Sequence, residues 1–286
     1  MKHHQPGILA PVPEAARHLF FTIASPKGVA AGLRRLRAVA DGDGVVVGIG
    51  QSVAQALRRE IEGLRVFPAM TGPGFEVPST AAALWCWLRG RDRGELLHRT
   101  HAIERALAPG FLLSQAIDAF RHGRGLDLTG YEDGTENPKG EAAVAAAFAD
   151  GASFAAVQQW VHDFDRFGSM TPKQQDNAIG RRKRDNKELG GAPPSAHIKR
   201  TAQESFEPEA FVLRRSMPWS DAGSAGLVFL AFGRAFEAFE AQLRRMCGMD
   251  DGIADALFGF TRPETGAYFW CPPMRGARLD LRALGL

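Results

Sequence analysis

The chain has 286 residues, 45% of them hydrophobic, which is enough to bury a sizeable core in one large domain or about two smaller ones. Its net charge of +3 is mild, and a small net charge carries no evidence of the concentrated basic face expected of a nucleic-acid binder. The three cysteines, Cys86, Cys247 and Cys271, are far apart and not in CxxC pairs, so neither a disulfide framework nor a zinc site follows and a reducing compartment fits.

Residues 1–7, Met-Lys-His-His-Gln-Pro-Gly, carry no apolar targeting region and no twin arginine. The longest apolar run, about 225–232, is far below the roughly 20 residues that cross a bilayer. A cytoplasmic protein with no membrane partner is expected. His18 to Ala24 is rich in aromatic and β-branched residues and predicts a strand. Ser25-Pro26 opens a helix, with Leu33, Leu36, Val39 and Ala40 at helical spacing. Val45 to Gly50 predicts a buried strand, Leu84 to Leu88 another, Gly94 to Ala108 a helix, and Phe111 to Phe120 a strand.

After Pro138 the order repeats. Ala142 to Ala149 predicts a short helix or cover, Phe154 to His162 a strand, and Thr171 to Ala178 a helix. Ala210 to Met217 and Leu227 to Phe232 predict strands. Ala235 to Cys247 predicts a helix, with Phe236, Phe239, Leu243 and Met246 on one face. Gly266 to Cys271 closes as a strand. Strand, helix, strand, strand, helix, strand, occurring twice, predicts an α+β fold of two ferredoxin-like domains with antiparallel sheets and peripheral helices. The expected division is 1–138 and 139–286, with the second domain carrying the cofactor. The stretch from Phe167 to Pro194 is irregular, and a loop that long in a compact domain is often functional.

Gly130 to Pro138 reads Gly-Tyr-Glu-Asp-Gly-Thr-Glu-Asn-Pro. Asp133-Gly134 and Asn137-Pro138 are both turn formers. Asp133, Thr135 and Asn137 are therefore carried on a tightly bent backbone. This string resembles the Gly-x-x-Asp-Gly motif of the dye-decolourising peroxidases, in the Asp-Gly-Thr-Glu-Asn-Pro form of their bacterial B-type subgroup. Pro-Pro-Ser-Ala-His, ending at His197, is similar to that subgroup's proximal ligand segment. A neutral imidazole is a suitable axial ligand for haem iron. Val212 to Pro218, Val-Leu-Arg-Arg-Ser-Met-Pro, resembles the distal Arg-x-Ser context, and strand alternation puts Arg214 and Ser216 on one face. Arg215 is then expected to face solvent or an ion-pair partner. Ile179-Gly180-Arg181 resembles the segment near the haem edge, and Phe260 to Gly266 the Phe-Thr-x-x-x-Thr-Gly segment that follows an acidic residue, here Asp255.

The resemblance implies one haem b per chain. His197 is expected to hold the iron with Asp255 behind it. Arg181, Gly134, Thr135 and Asn137 are expected beside the cofactor, and Asp133, Arg214 and Ser216 on its distal side. The implied activity reduces hydrogen peroxide and oxidises dyes, phenols or lignin-like compounds, with small aromatic reductants as partners. A carboxylate base, with an ordinary pKa of about 3.9, stays ionised in mild acid where an imidazole would not, which implies an acidic optimum. A homo-oligomer is implied, and encapsulation in a protein nanocompartment is a weaker implication. Tyr131-Glu132 fills the motif's variable pair, and Trp219 stands where family members often have tyrosine.

A haem carrier or sensor, or an iron-releasing haem protein, is the alternative on the same fold. It predicts a haem absorption band without peroxide turnover. The basic run Arg181 to Lys187 raises RNA binding, but the chain lacks the full Gly-Phe-Gly-Phe-Val type of strand, so no nucleic-acid partner is expected. His98 and His101 lie three apart on one helix with no third ligand nearby and read as a solvated face. His18, His122 and His162 have no partners evident in the sequence.

Overall fold

The computed structural model describes residues 3–286. In the first half, β1 (Ala15–Ile23), β2 (Val45–Ile49), β3 (Leu84–Gly90) and β4 (Phe111–Phe120) lie side by side in the order β2-β3-β1-β4. Helices α1 (Val29–Leu36) and α2 (Arg93–Leu107) make the two crossovers. The second half contributes β5 (Ser153–His162), β6 (Leu213–Arg214), β7 (Met217–Ser220), β8 (Ala225–Gly233), β9 (Thr261–Pro263) and β10 (Ala267–Cys271). Its central order is β10-β5-β8-β7, the same spatial arrangement repeated. Its helices include α3 (Glu141–Ala147), α4 (Pro172–Ile179), α5 (His197–Arg200) and α6 (Glu237–Met246), with a short one at Phe164–Ser169 before α4.

The α+β, antiparallel architecture with peripheral helices holds. What the sequence pattern did not indicate is how the halves join. Ile49 pairs with Trp270 across β2–β10, and Ala119 pairs with Trp219 across β4–β7. With β5 paired to β8, the two sheets close into one ring that leaves few free edges. One face of the strands carries Leu19, Val47, Leu84 and Cys86 against α1 and α2. The other carries Trp85, Trp87, Phe232 and Phe269 into the ring. His18 is fully buried there and accepts a hydrogen bond from Trp85 Nε1 at 3.3 Å, and burial pushes its pKa down to about 3.

Local signals explain the elements that carry the site. Thr171 caps α4, with Gln174 reciprocating and Pro172 in the first turn. Gly180 ends it at φ +94°, and a Cβ there would come within 2.4 Å of Ile198 Cγ1. Glycine therefore lets α4 and α5 approach closely. The expected strand from Ala210 to Met217 is shorter: only Leu213–Arg214 and Met217–Ser220 are in the ladder. The irregular stretch after Phe167 contains α4. Elements that passed unnoticed in the periodicity include helices at Gln51–Ala56 and Phe164–Ser169, a hairpin of Met70–Gly72 with Phe75–Val77, and another of Met274–Arg275 with Arg278–Leu279. Among the described residues, no helix is long and apolar enough to cross a membrane.

Phe269 is fully buried and packs against Trp85 and Phe20, strands of the other half. Phe269→Ala should cost about 3–5 kcal/mol of unfolding free energy. Urea denaturation measures it, and a loss below 1 kcal/mol would mean that this seam does not hold the ring together.

Candidate active site

A cavity of about 940 Å³ of empty space, partly open to solvent, lies between the helix-side face of β5 and β8 and helix α6. Its apolar walls include Leu227, Phe229, Phe239, Leu243, Met246 and Phe260. His197, Asp133 and Arg214 all line it.

His197 opens α5. Its Nδ1 lies 2.8 Å from Asp255 Oδ2, and the Asp255 side chain is fully buried. An ionised carboxylate can only accept, so opposite one Nδ1 is the donor, and in a neutral imidazole Nε2 then keeps the lone pair. Asp255 is held from three directions. Its other oxygen accepts from Leu257 N at 2.9 Å, its amide donates to Met246 O at 2.7 Å, and the next amide, Ala256 N, donates to Ser195 O at 2.8 Å. Farther along α5, Arg200 donates to Arg245 O and makes two 2.7 Å bonds to Asp251, which fixes the helix.

Asp133 and Arg214 form a long pair, Oδ1 to Nη1 at 3.8 Å, with both side chains largely buried. That distance is too great for a direct hydrogen bond. The Asp133 loop is closed by Asp133 N donating to Gly125 O, and Gly134 takes φ +74°. Asn137 holds the arginine: its Oδ1 accepts from Arg214 N at 2.7 Å, and its Nδ2 donates to Arg214 O at 3.0 Å. A side-chain amide here replaces a strand neighbour. Gln203, also buried, donates to Glu136 O and accepts from Val212 N, linking the Asp133 loop to the strand carrying Arg214.

The other expected site residues lie farther out. Gly134, Asn137 and Ser216 line a neighbouring cavity that shares Asp133 and Arg214 with the first. Ser216 Oγ accepts from Leu230 N at 3.3 Å. Thr135 accepts from Asn186, and Arg181 pairs with Glu136 and donates to Asn186 O. Neither Thr135 nor Arg181 is among the residues lining the cavity that holds His197. Arg215 is half-buried and finds no carboxylate among the ion pairs of the described residues. It donates to Ile8 O and Leu9 O, and burial together with the nearby Arg89 charge lowers its pKa to about 10.

Sequence reasoning missed one polar cluster in this cavity. His162 does have partners: Nε2 lies 3.0 Å from Asp127 Oδ2 and Nδ1 lies 2.7 Å from Thr261 Oγ1. Burial alone would raise the Asp127 carboxyl. The His162 contact and the Thr129 hydroxyl and amide outweigh it and hold the group below its usual range. These residues are 35 and 99 positions from His162, so only the β5–β9 pairing and the loop before Asp133 could have revealed them. Gln158 and Gln242 also reach the cavity.

The family model described as Dyp-type peroxidase, C-terminal, matches residues 124–276. A dye-decolorizing peroxidase of Rhodococcus erythropolis is 31% identical over 294 residues, covering 93% of this chain and 85% of that protein. One of Mycobacterium tuberculosis is 29% identical, covering 80% and 72%. Among solved structures, a dyp-type peroxidase protein from Shewanella oneidensis superposes with a TM-score of 0.88 at 27% identity, covering 99% of this chain and 98% of that one. A DypB variant from Rhodococcus jostii RHA1 in complex with heme gives 0.83 at 25% identity, covering 92% and 94%.

The depressed Asp127 carboxyl makes a prediction about stability. A carboxylate held below its unfolded pKa of about 3.9 stabilises the fold above that pH, and the contribution is lost as pH falls through the folded value. Asp127→Asn should therefore unfold at lower urea than the parent at pH 7, with the difference shrinking below about pH 4. A gap that stays constant or widens in acid would contradict this pairing.

Proposed function

The chain belongs to the Dyp-type peroxidase family, a haem-dependent peroxidase, and we propose that His197 holds its iron while Asp133 and Arg214 act on the peroxide. The protein reduces hydrogen peroxide and oxidises dyes and phenolic compounds in one-electron steps. The residues present fit the cofactor. One imidazole offers a lone pair in a largely apolar cavity, with its other nitrogen tied to a buried carboxylate. When bound, haem supplies the electrons that reduce peroxide and the oxidising capacity then passed to the organic substrate.

The chain's own groups do the rest. Asp255 fixes the plane and tautomer of His197 and raises its basicity as a ligand. Asp133 takes the proton from the inner peroxide oxygen and returns it to the outer one, which leaves as water. Arg214 places fixed positive charge where negative charge develops on that leaving oxygen. The 3.8 Å gap keeps the guanidinium from occupying Asp133 Oδ1 directly, so the carboxylate remains free to accept a proton. Asn137 acts through Arg214, whose backbone it grips on both sides. The observation that carries this reading is the shared cavity of a carboxylate-backed imidazole and an acid–guanidinium pair. A carrier or iron-releasing protein would need the first and not the second.

His197→Ala should remove the Soret band of the purified protein. Asp133→Asn should slow the reaction with peroxide about 10²-fold or more, and Arg214→Leu about 10²- to 10³-fold. Stopped-flow absorbance after one equivalent of peroxide reads both rates, and dye oxidation should peak in mild acid. Unchanged rates in both variants would remove Asp133 and Arg214 from the mechanism, and a peak above neutral pH would count against Asp133 as the base.

A further inference from the structure

Residues 121–140, between β4 and α3, form no helix and no strand of the main sheet, yet they carry Asp133. A loop of that length keeps a side chain in place only if specific contacts fix it. Asp127 supplies the internal ones. Its amide donates to Tyr131 O and its carbonyl accepts from Gly130 N, both at 2.8 Å. Its Oδ1 accepts from the amide and the hydroxyl of Thr129. The turn 127–131 is thus closed on one aspartate, and Asp133 stands two residues beyond it with its amide on Gly125 O.

These bonds shape the loop without tying it to the rest of the protein. Among the described residues, three side chains outside the loop hydrogen-bond to those of residues 127–132: His162 to Asp127, Asp176 to Tyr131 and Asn186 to Glu132. Asp176 lies on α4 and Asn186 on the turn after it, both outside the sheet. His162 ends β5 and pairs with Thr261 of β9. Its side chain is 6% exposed, and the Phe164 ring meets it edge-on at 5.7 Å. The Thr261 hydroxyl lies 2.7 Å from Nδ1. It can donate to a lone pair there, or accept from an N–H and give its own proton to Val161 O at 2.9 Å. The ring therefore keeps one plane in either protonation state and aims Nε2 at Asp127 Oδ2, 3.0 Å away.

We propose that His162 is a positioning residue for peroxide cleavage: through Asp127 it fastens the Asp133 loop to the sheet and so holds Asp133 apart from Arg214. Asn137 ties the far side of the same loop to the strand of Arg214, so Asp133 is held from both directions. Released on the His162 side, the carboxylate would settle onto the guanidinium, because opposite charges 3.8 Å apart in a largely buried site attract strongly. The base would then be occupied. The proposal rests on the reading of Asp133 and Arg214 as the groups that act on peroxide.

The test uses the ferric holoenzyme. Hydrogen cyanide must lose its proton to bind ferric iron as cyanide, so its on-rate, read at the Soret band, reports the distal base without turnover. In H162L both that rate and the rate with one equivalent of peroxide should fall about 10- to 100-fold, while oxidation of the phenol guaiacol by enzyme already treated with peroxide keeps the parent rate. H162Q, whose amide can donate to Asp127 and accept from Thr261, should restore both rates. Hydrogen exchange of the amides of residues 125–134 should quicken in H162L and not in H162Q. H162L leaves a carboxylate without its partner; if it does not fold, H162L/D127N, which keeps an acceptor for Thr129 without the charge, carries the same expectations. Parent-like cyanide and peroxide rates in H162L, or H162Q as slow as H162L, would overturn the positioning role alone. Parent-like rates in Asp133→Asn would overturn the reading of the distal pair and this proposal with it.

Discussion

The hydrogen bond between His197 Nδ1 and Asp255 Oδ2 is the contact on which the site depends. A carboxylate with no exposed side-chain surface is costly to bury unless its oxygens are occupied. Here one oxygen meets the imidazole and the other caps the turn Ala256–Gly259. That requirement joins the end of α6, the turn before β9 and the start of α5 into one unit. Removing either partner takes away the bond across this junction, so the orientation of the His197 imidazole and the local fold are one structural problem.

The distal side is built differently. Asp133 rides on a turn and Arg214 on a two-residue strand, neither of them rigid alone. Asn137 and Gln203 supply the missing order by pairing with backbone amides and carbonyls that no strand neighbour reaches. The two side chains can then stand close, 3.8 Å apart, without a direct hydrogen bond to each other. On the proposed mechanism, that geometry would let one accept a proton while the other keeps its charge.

Much of this was legible in the residues. The βαββαβ order came from periodicity, since long apolar alternations and Ser-Pro, Asp-Gly and Pro-Gly punctuation are local. Asp133, His197 and Arg214 stood out because each sits in a short contiguous string. The closure of the two sheets was not legible, because it rests on single bridges such as Ile49 with Trp270, more than two hundred residues apart. His162 could not be matched to Asp127 and Thr261 because they lie 35 and 99 positions away. Arg181 and Thr135 were placed beside the cofactor by their strings, and the structure pairs them with Glu136 and Asn186.

The most direct test of the central contact is the iron–histidine stretching band in the resonance Raman spectrum of the reduced protein, with and without Asp255→Asn. A carboxylate partner makes the imidazole a stronger ligand, so the band should be present in the parent and shift to lower frequency in the variant. An identical band in both proteins, or none in the parent, would contradict His197 as an Asp255-backed iron ligand.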